Sequence, residues 1–350
     1  MKIIFGLIIL GVVVVLNLVA FWVSRPIFDE VIENVPTIAT TIALQKDALT
    51  FFRTISGETF LATEFSDNKV MGIALSQALD RPITDALDAI NLFGYAALST
   101  LDKDAAISIN LEQLGLPFVP SYPHIAAGTN YKAHAEEVGL EDGPFLFPKL
   151  SRATPWNGGV PRRARLDYEV EICVVPLTTY TLEQPSSFGY VLCSDYTDRW
   201  RLIRDINLDR PLGQTGFPDA KGGDGMLSIG PFLVVPRQDR EFYKKLELGL
   251  ALNGELRQRS SAGLMIWSPD EIIVNAISDC EVNFTRQDGS VSLTACGEVA
   301  AGTLILTGTP SGVLFNLASI WSSRAYLQSG DNVMTYATHL GMLHNKVVDP

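Results

Sequence analysis

Leu166-Asp167-Tyr168-Glu169-Val170-Glu171-Ile172-Cys173-Val174-Val175 is the stretch on which the reading of this chain turns. Ile172, Val174 and Val175 are strand-forming and apolar. Side chains along a strand alternate between faces, so Glu169 and Glu171 point the same way. Two carboxylates on one apolar face repel each other, and burial makes each costlier to ionise. A divalent cation relieves both problems, and oxygen-only ligands suit Mg²⁺, Mn²⁺ or Ca²⁺ better than Zn²⁺. Taken alone the pattern is weak, because an E-x-E on a half-exposed strand is more often a solvated face.

The segments on either side add weight. Upstream lies Gly128-Thr129-Asn130-Tyr131-Lys132-Ala133-His134-Ala135-Glu136-Glu137. Downstream come Ser194-Asp195-Tyr196-Thr197-Asp198-Arg199, then Lys221-Gly222-Gly223-Asp224 with Gly230-Pro231. Asn253-Gly254, Gln258, Met265 and Trp267 follow, and finally Thr307-Gly308-Thr309-Pro310-Ser311-Gly312-Val313. In this order and at these spacings the chain resembles the fumarylacetoacetate hydrolase family, over residues 119–347.

The resemblance implies a β-rich α+β fold, a mixed β-sandwich roll with its active site at one end, preceded by a small N-terminal α/β domain. It implies one divalent ion, Mg²⁺ (or Mn²⁺ or Ca²⁺), held by Glu169, Glu171 and Asp195. The ion acts on a chelating dicarbonyl and stabilises the enolate left when a C–C bond breaks. Small oxo acids are the implied substrates, with a homodimer the expected assembly. Lys221 and Arg199 match cations that polarise the substrate carbonyl or hold its carboxylate. Tyr131, Asp224 and Thr309 match substrate-binding positions, and Asp224 is expected to position Lys221. Asp167, at the start of the strand, is expected to fix a turn or a neighbouring side chain rather than bind metal.

His134 and Glu137 stand three apart in a segment of helical character, and such residues are neighbours on a helix surface. A carboxylate beside a histidine holds its tautomer and raises its basicity, as a water-activating base requires. Judged by itself this spacing describes a surface ion pair; its place in the series of motifs favours catalysis.

Three of the four departures from the family pattern fall close to the metal aspartate, and the fourth follows the glycine-rich motif at 307–313. Ser194 replaces the usual Asn, Trp200 an Asp, Leu314 a Gly, and Leu202 a glutamine that helps form the oxyanion hole in several hydrolases. The loss of that glutamine leaves metal binding intact but puts carbonyl hydrolysis in doubt. The segment 200–220, rich in charge and Gly/Pro turns, suggests a remodelled loop over the site. C–C hydrolysis leads, with decarboxylation or keto–enol isomerisation close behind, because all three pass through an enolate. An inert metal-holding module is the reading from a different class, and the His134–Glu137 pair argues against it.

Composition sets outer bounds. The 350 residues are 47% hydrophobic and 19% charged, which suits a large core, and a net charge of −12 argues against nucleic acid as a partner. It also argues against attraction to an anionic lipid surface. The start of the chain is different. Over residues 3–23 the only side chain that is not apolar, apart from two glycines, is Asn17. At 1.5 Å per residue the run is about 30 Å long, enough to cross a hydrocarbon core. It exceeds the roughly 7–15 residues of a signal-peptide core, and no small-x-small cleavage site follows it. Trp22 stands where an interfacial anchor would. We read residues 1–25 as an uncleaved single-pass anchor with the lipid bilayer as partner; a cleaved signal is the lesser alternative.

Lys2 precedes the span, whereas Arg25 is followed by Asp29, Glu30 and Glu33. By a margin of one charge this puts the amino terminus inside and the catalytic domain on the non-cytoplasmic side. The location of oxo-acid metabolites pulls the other way.

Residues 26–117 read as a linker and small N-terminal domain, and 118–350 as the catalytic domain. Short strands are expected at 49–52 and 59–63, a packing helix at 83–101, and a capped helix at 268–280 opening with Ser-Pro-Asp-Glu. Cys173, Cys193, Cys280 and Cys296 show neither CxxC nor zinc spacing and read as free core cysteines.

Overall fold

In the computed structural model the apolar run around Glu169 and Glu171 is the strand Leu166–Pro176, buried on both faces along its whole length. It pairs antiparallel, residue for residue, with the equally long strand Phe188–Asp198. The structure describes residues 2–23, 28, 30–32, 34, 36–66, 68–140, 142–316 and 318–350.

These two strands are the middle of an 11-stranded sheet. On one side follow Phe232–Pro236, Ala48–Arg53, Thr59–Ser66, Lys69–Ala74 and Ile107–Asn110; on the other, Thr303–Leu306, Ser121–Gly128 and Phe145–Lys149. Thr303–Leu306 runs parallel to Ser121–Gly128 and antiparallel to Leu166–Pro176, so the sheet is mixed. A 5-stranded sheet built on Glu247–Leu252, Glu255–Ser261, Asn332–Ala337 and Gly341–Val348 covers the central pair. Polar bridges tie the layers together where apolar contact alone would leave register loose. Gln258 Oε1 accepts from Val170 N–H at 3.0 Å, Ser194 and Thr335 hydroxyls lie 2.7 Å apart, and Tyr196 Oη donates to Asn345 at 3.2 Å. The result is the β-rich α+β sandwich expected from the sequence.

The expected strands near 49–52 and 59–63 are present, but they extend the catalytic sheet. Phe51 and Phe52 pair with Leu233 and Phe232 across the joint. Phe52 stacks on Phe60 at 5.0 Å, and Phe232 meets Phe52 and Phe65 edge-on. The packing helix is Ala86–Leu98, shorter than 83–101, because Asp85 caps it by accepting from Leu87 and Asp88 N–H. Pro269–Ser278 carries the expected Ser268 cap with a Glu271 capping box.

The N-terminal run is a helix, Lys2–Val23. Its Ile4–Val23 stretch is long and apolar enough to cross a membrane, and among its described side chains only Ala20 is buried. Asn17 donates to Val13 carbonyl at 2.8 Å, which satisfies its amide within the helix. Arg25, Asp29 and Glu33, on which the expected orientation rests, lie outside the described residues.

The cysteines are not free. Cys173 bonds Cys193 across the central strand pair and Cys280 bonds Cys296, with Cα atoms 5.8 and 5.0 Å apart. Both separations suit a disulfide. The register puts Cys173 opposite Val191 and Cys193 opposite Glu171, so the bonded pair is a diagonal neighbour, a relation invisible in sequence spacing.

Candidate metal centre and cleft

The antiparallel register sets Asp195 directly opposite Glu169, and Glu171 lies two residues along on the same face. An oxygen from each of these three carboxylates lies within 4.8 Å of the other two. All three residues are buried, Asp195 completely. Two lysines and an arginine hold the group together. Lys221 Nζ lies 2.6 Å from both Glu169 Oε2 and Asp195 Oδ2, and Lys149 Nζ lies 2.5 Å from Asp195 Oδ1. Arg199 donates to Glu169 Oε1 at 2.6 Å and to Asp167 Oδ2 at 2.8 Å. Asp167 also accepts the Leu314 and Phe315 N–H groups. It therefore anchors a turn and a guanidinium, as expected.

The two glutamates have opposite electrostatics. Burial pushes Glu169 up, but Lys221 and Arg199 outweigh it and hold the carboxyl down at about 2. Glu171 is driven well above the usual carboxylate range by burial, reinforced by Asp195 and Glu169. Among the described residues its one hydrogen-bond donor is Gly308 N–H, at 2.7 Å. Burial would lower Lys221, yet Asp195 and Glu169 raise it; in Lys149 burial wins and the ammonium is lowered.

The cluster thus holds four carboxylates against three cations, and the shortage of positive charge falls at Glu171. The Tyr131 hydroxyl next to Glu171 is buried without a partner, and its phenol is pushed up by burial and by Glu171. An oxygen-only donor set with an unbalanced carboxylate and an orphaned hydroxyl fits a hard divalent cation.

His134 and Glu137 sit on the short helix Lys132–Val138, with His134 Nδ1 3.2 Å from Glu137 Oε2. Glu137 is held in turn by Gly312 N–H at 3.0 and 3.2 Å. Gly312 has φ 107°, and a Cβ there would fall 2.1 Å from the Arg257 carbonyl, so the turn that fixes Glu137 admits only glycine. Glu136 faces solvent and pairs with Lys132 at 3.7 Å. Thr309 Oγ1 accepts from Gln258 Nε2 at 2.9 Å.

A cavity of about 330 Å³ opens above the cluster, with His134, Glu169, Arg199, Lys221 and Thr309 on its lining. Glu171 and Asp195 lie beneath it. Two expected positions are not brought to it. Asp224 is exposed and forms no hydrogen bond or ion pair with Lys221 among the described residues; the Lys221 ammonium is already matched by Glu169 and Asp195, and Gly223 and Gly225, with φ of 97° and 72°, turn the chain outward there. Tyr131 lies beside Glu171 rather than on the wall.

Sequence reasoning missed Lys149. In Phe147-Pro148-Lys149 nothing distinguishes a fully buried lysine from a strand end; only the neighbouring carbonyls of Lys221 and Met226, each accepting from Nζ at 2.6 Å, reveal it. The segment 200–220 is not an open loop. Asp198 caps a helix, Arg199–Asp205, by accepting from Trp200 and Arg201 N–H, and a second turn spans Phe217–Ala220. Leu202 and Ile203 of that helix face the cavity, whereas exposed Trp200 lies under the Arg165 guanidinium.

The description "Fumarylacetoacetate (FAA) hydrolase C-terminal" belongs to the family model that matches residues 123–348. Oxaloacetate tautomerase YisK of Bacillus subtilis is 29% identical over 242 residues, spanning 65% of this chain and 70% of that protein. The fumarylacetoacetate hydrolase structure from Exiguobacterium antarcticum superposes with a TM-score of 0.62 at 23% identity, covering 86% of this chain and all of that one. A fumarylpyruvate hydrolase from Pseudomonas aeruginosa, solved with Mn²⁺ and pyruvate, gives 0.50 at 22% identity, over 67% and 98%. At these identities the two structures speak to fold alone.

Proposed function

The chain belongs to the fumarylacetoacetate hydrolase family, and from that premise we propose that it is a divalent-metal-dependent enzyme cleaving a C–C bond in small oxo acids of the acylpyruvate or β-diketo acid type. The observation that carries the proposal is the buried Glu169–Glu171–Asp195 cluster at the base of a cavity. Mg²⁺ or Mn²⁺ held by those three carboxylates supplies Lewis-acid polarisation of the oxo group. Manganese and pyruvate in the fumarylpyruvate hydrolase structure agree with this choice of ion and head group.

The chain's own residues do the rest. Glu137, fixed by Gly312, holds the proton on His134 Nδ1, which leaves Nε2 to take a proton from an attacking water. Lys221 and Arg199 bring positive charge to the cavity lining, where negative charge grows as the bond breaks. Their pairing with Glu169 keeps them fixed, so little reorganisation is needed during the reaction.

Keto–enol isomerisation or decarboxylation is the second reading. Leu202 favours it, because no amide stands where hydrolases place theirs, and so does the likeness to an oxaloacetate tautomerase. Neither reaction needs an attacking water. Acylpyruvates and oxaloacetate, followed at the enol absorbance with Mg²⁺ or Mn²⁺, test both. Loss of acylpyruvate absorbance with release of two acids supports hydrolysis. Equilibration of oxaloacetate alone supports isomerisation. Inertness toward the whole panel leaves a metal-binding module.

The proposal includes the location. Residues 1–25 tether the catalytic domain, 118–350, to a bilayer through 26–117, a linker followed by a small unit whose strands continue the catalytic sheet. The apolar Ile4–Val23 helix supports the tether. Two disulfides support a domain facing an oxidising, non-cytoplasmic compartment. Protease treatment of spheroplasts tests it, and full protection of the domain until lysis would reverse the orientation.

A further inference from the structure

The lower and upper parts of the cavity carry opposite chemistry. Both permanent cations on its lining are already engaged, Arg199 with Asp167 and Glu169 and Lys221 with Glu169 and Asp195, and the His134 imidazole is held by Glu137. The rest of the lining is dominated by hydrocarbon. Leu202, Ile203 and Ile206 come from the capped helix and the residue after it, and Phe145, Phe147 and Phe217 form a cluster of rings with centroids 5.0–6.1 Å apart. Among the described lining residues no lysine, arginine or histidine stands beyond the three named. A second carboxylate carried into this part of the cavity would shed water and meet no counter-charge. A methyl or methylene group there would leave water for an apolar surface, at a gain.

We infer that the site takes oxo acids bearing a short apolar tail and discriminates against oxo dicarboxylates. This rests on the reading of the carboxylate cluster as the site of the oxo-acid head. At ~30 Å³ per water-sized group, the cavity holds on the order of ten non-hydrogen atoms. A pyruvoyl head takes about six of these, which leaves space for an alkyl tail of about four carbons. Leu208, 76% exposed, continues the apolar lining outward. The wall comes largely from segment 200–220, where the sequence departs from the family pattern, so the altered residues and the altered preference coincide.

The test uses the full chain in detergent, loaded with Mn²⁺ and titrated by calorimetry with 2-oxohexanoate and 2-oxoadipate. The two have the same carbon chain and differ only in a terminal methyl against a terminal carboxylate. We expect 2-oxohexanoate to bind at least tenfold more tightly. Equal binding, or a preference for 2-oxoadipate, overturns the inference. Ile203→Arg places a cation on the half-buried wall and is expected to shift the ratio at least tenfold toward 2-oxoadipate; an unchanged ratio in a folded variant overturns the assignment of the tail to this wall. Titration with Mn²⁺ and then pyruvate separates the two layers of the argument. If both bind and the tail preference is absent, only the tail inference falls. If neither binds, the head-group reading falls and takes the inference with it.

Discussion

The carboxylate cluster and the hydrocarbon wall above it meet at one cavity and differ in how tightly they are determined. In the cluster Glu169 and Asp195 are each fixed several times over, and Glu171 is held by the Gly308 N–H. Glu169 alone receives Arg199, Lys221 and the Thr197 hydroxyl, and its own carboxylate lies opposite Asp195 by strand register. On the wall, Leu202, Ile203 and Ile206 are held by apolar contact, which has no direction and tolerates exchange. Charge placement in the cluster is therefore all-or-none, whereas the wall is free to drift, and substrate choice can change without disturbing the chemistry.

The largest effect is expected from Glu171→Ala. It removes the carboxylate that lacks a cationic partner, and Mn²⁺ affinity should fall by at least two orders of magnitude in a calorimetric titration. Unchanged affinity would show that the cluster does not hold the ion.

Next comes His134→Ala, which leaves all three carboxylates in place. If hydrolysis is the reaction, turnover of an acylpyruvate should fall about 10²–10⁴-fold while Mn²⁺ affinity stays within about twofold. Full turnover in this variant would move the chemistry to isomerisation or decarboxylation.

A pH titration of the metal-free chain should divide the cluster further. Glu169, depressed to about 2, contributes stability that is present above its unfolded value near 4.5 and lost as pH falls toward 2. Glu171 is raised, so its contribution is present below about 4.5 and is lost as pH climbs toward its folded value. Thermal melts of the metal-free protein should show a decline on the alkaline side of 4.5 that Glu171→Gln abolishes. Persistence of the decline in that variant would assign it to another group.

The same contrast explains what could be read from the sequence. Glu169 and Glu171 are legible because strand parity puts them on one face whatever the register, whereas Asp195, on the partner strand, is reached only through the family resemblance. Lys149 and the Cys173–Cys193 bond are not legible, because both depend on which residues of different strands come side by side. Asp224 does not pair with Lys221 because Gly223 and Gly225, both with positive φ, turn the chain away, which a separation of three residues in sequence does not reveal. The Arg199–Asp205 helix had a visible signal in Asp198, whose carboxylate caps it, but the surrounding charges and turns masked the cap.

The smallest effect is expected from Leu202→Ala on the wall. Leucine-to-alanine changes in a tight core cost about 2–5 kcal/mol, and the cost grows with the new void. Leu202 is 8% exposed and already borders an open cavity, so its removal enlarges existing space instead of opening a sealed one. The loss should fall near ~2 kcal/mol in denaturant melts. Mn²⁺ affinity should be unaltered, since no ligand rests on this side chain. The 2-oxohexanoate preference should weaken severalfold as apolar contact is lost. A collapse of metal binding in this variant would mean that wall and cluster are mechanically coupled, and that the wall is not free to drift.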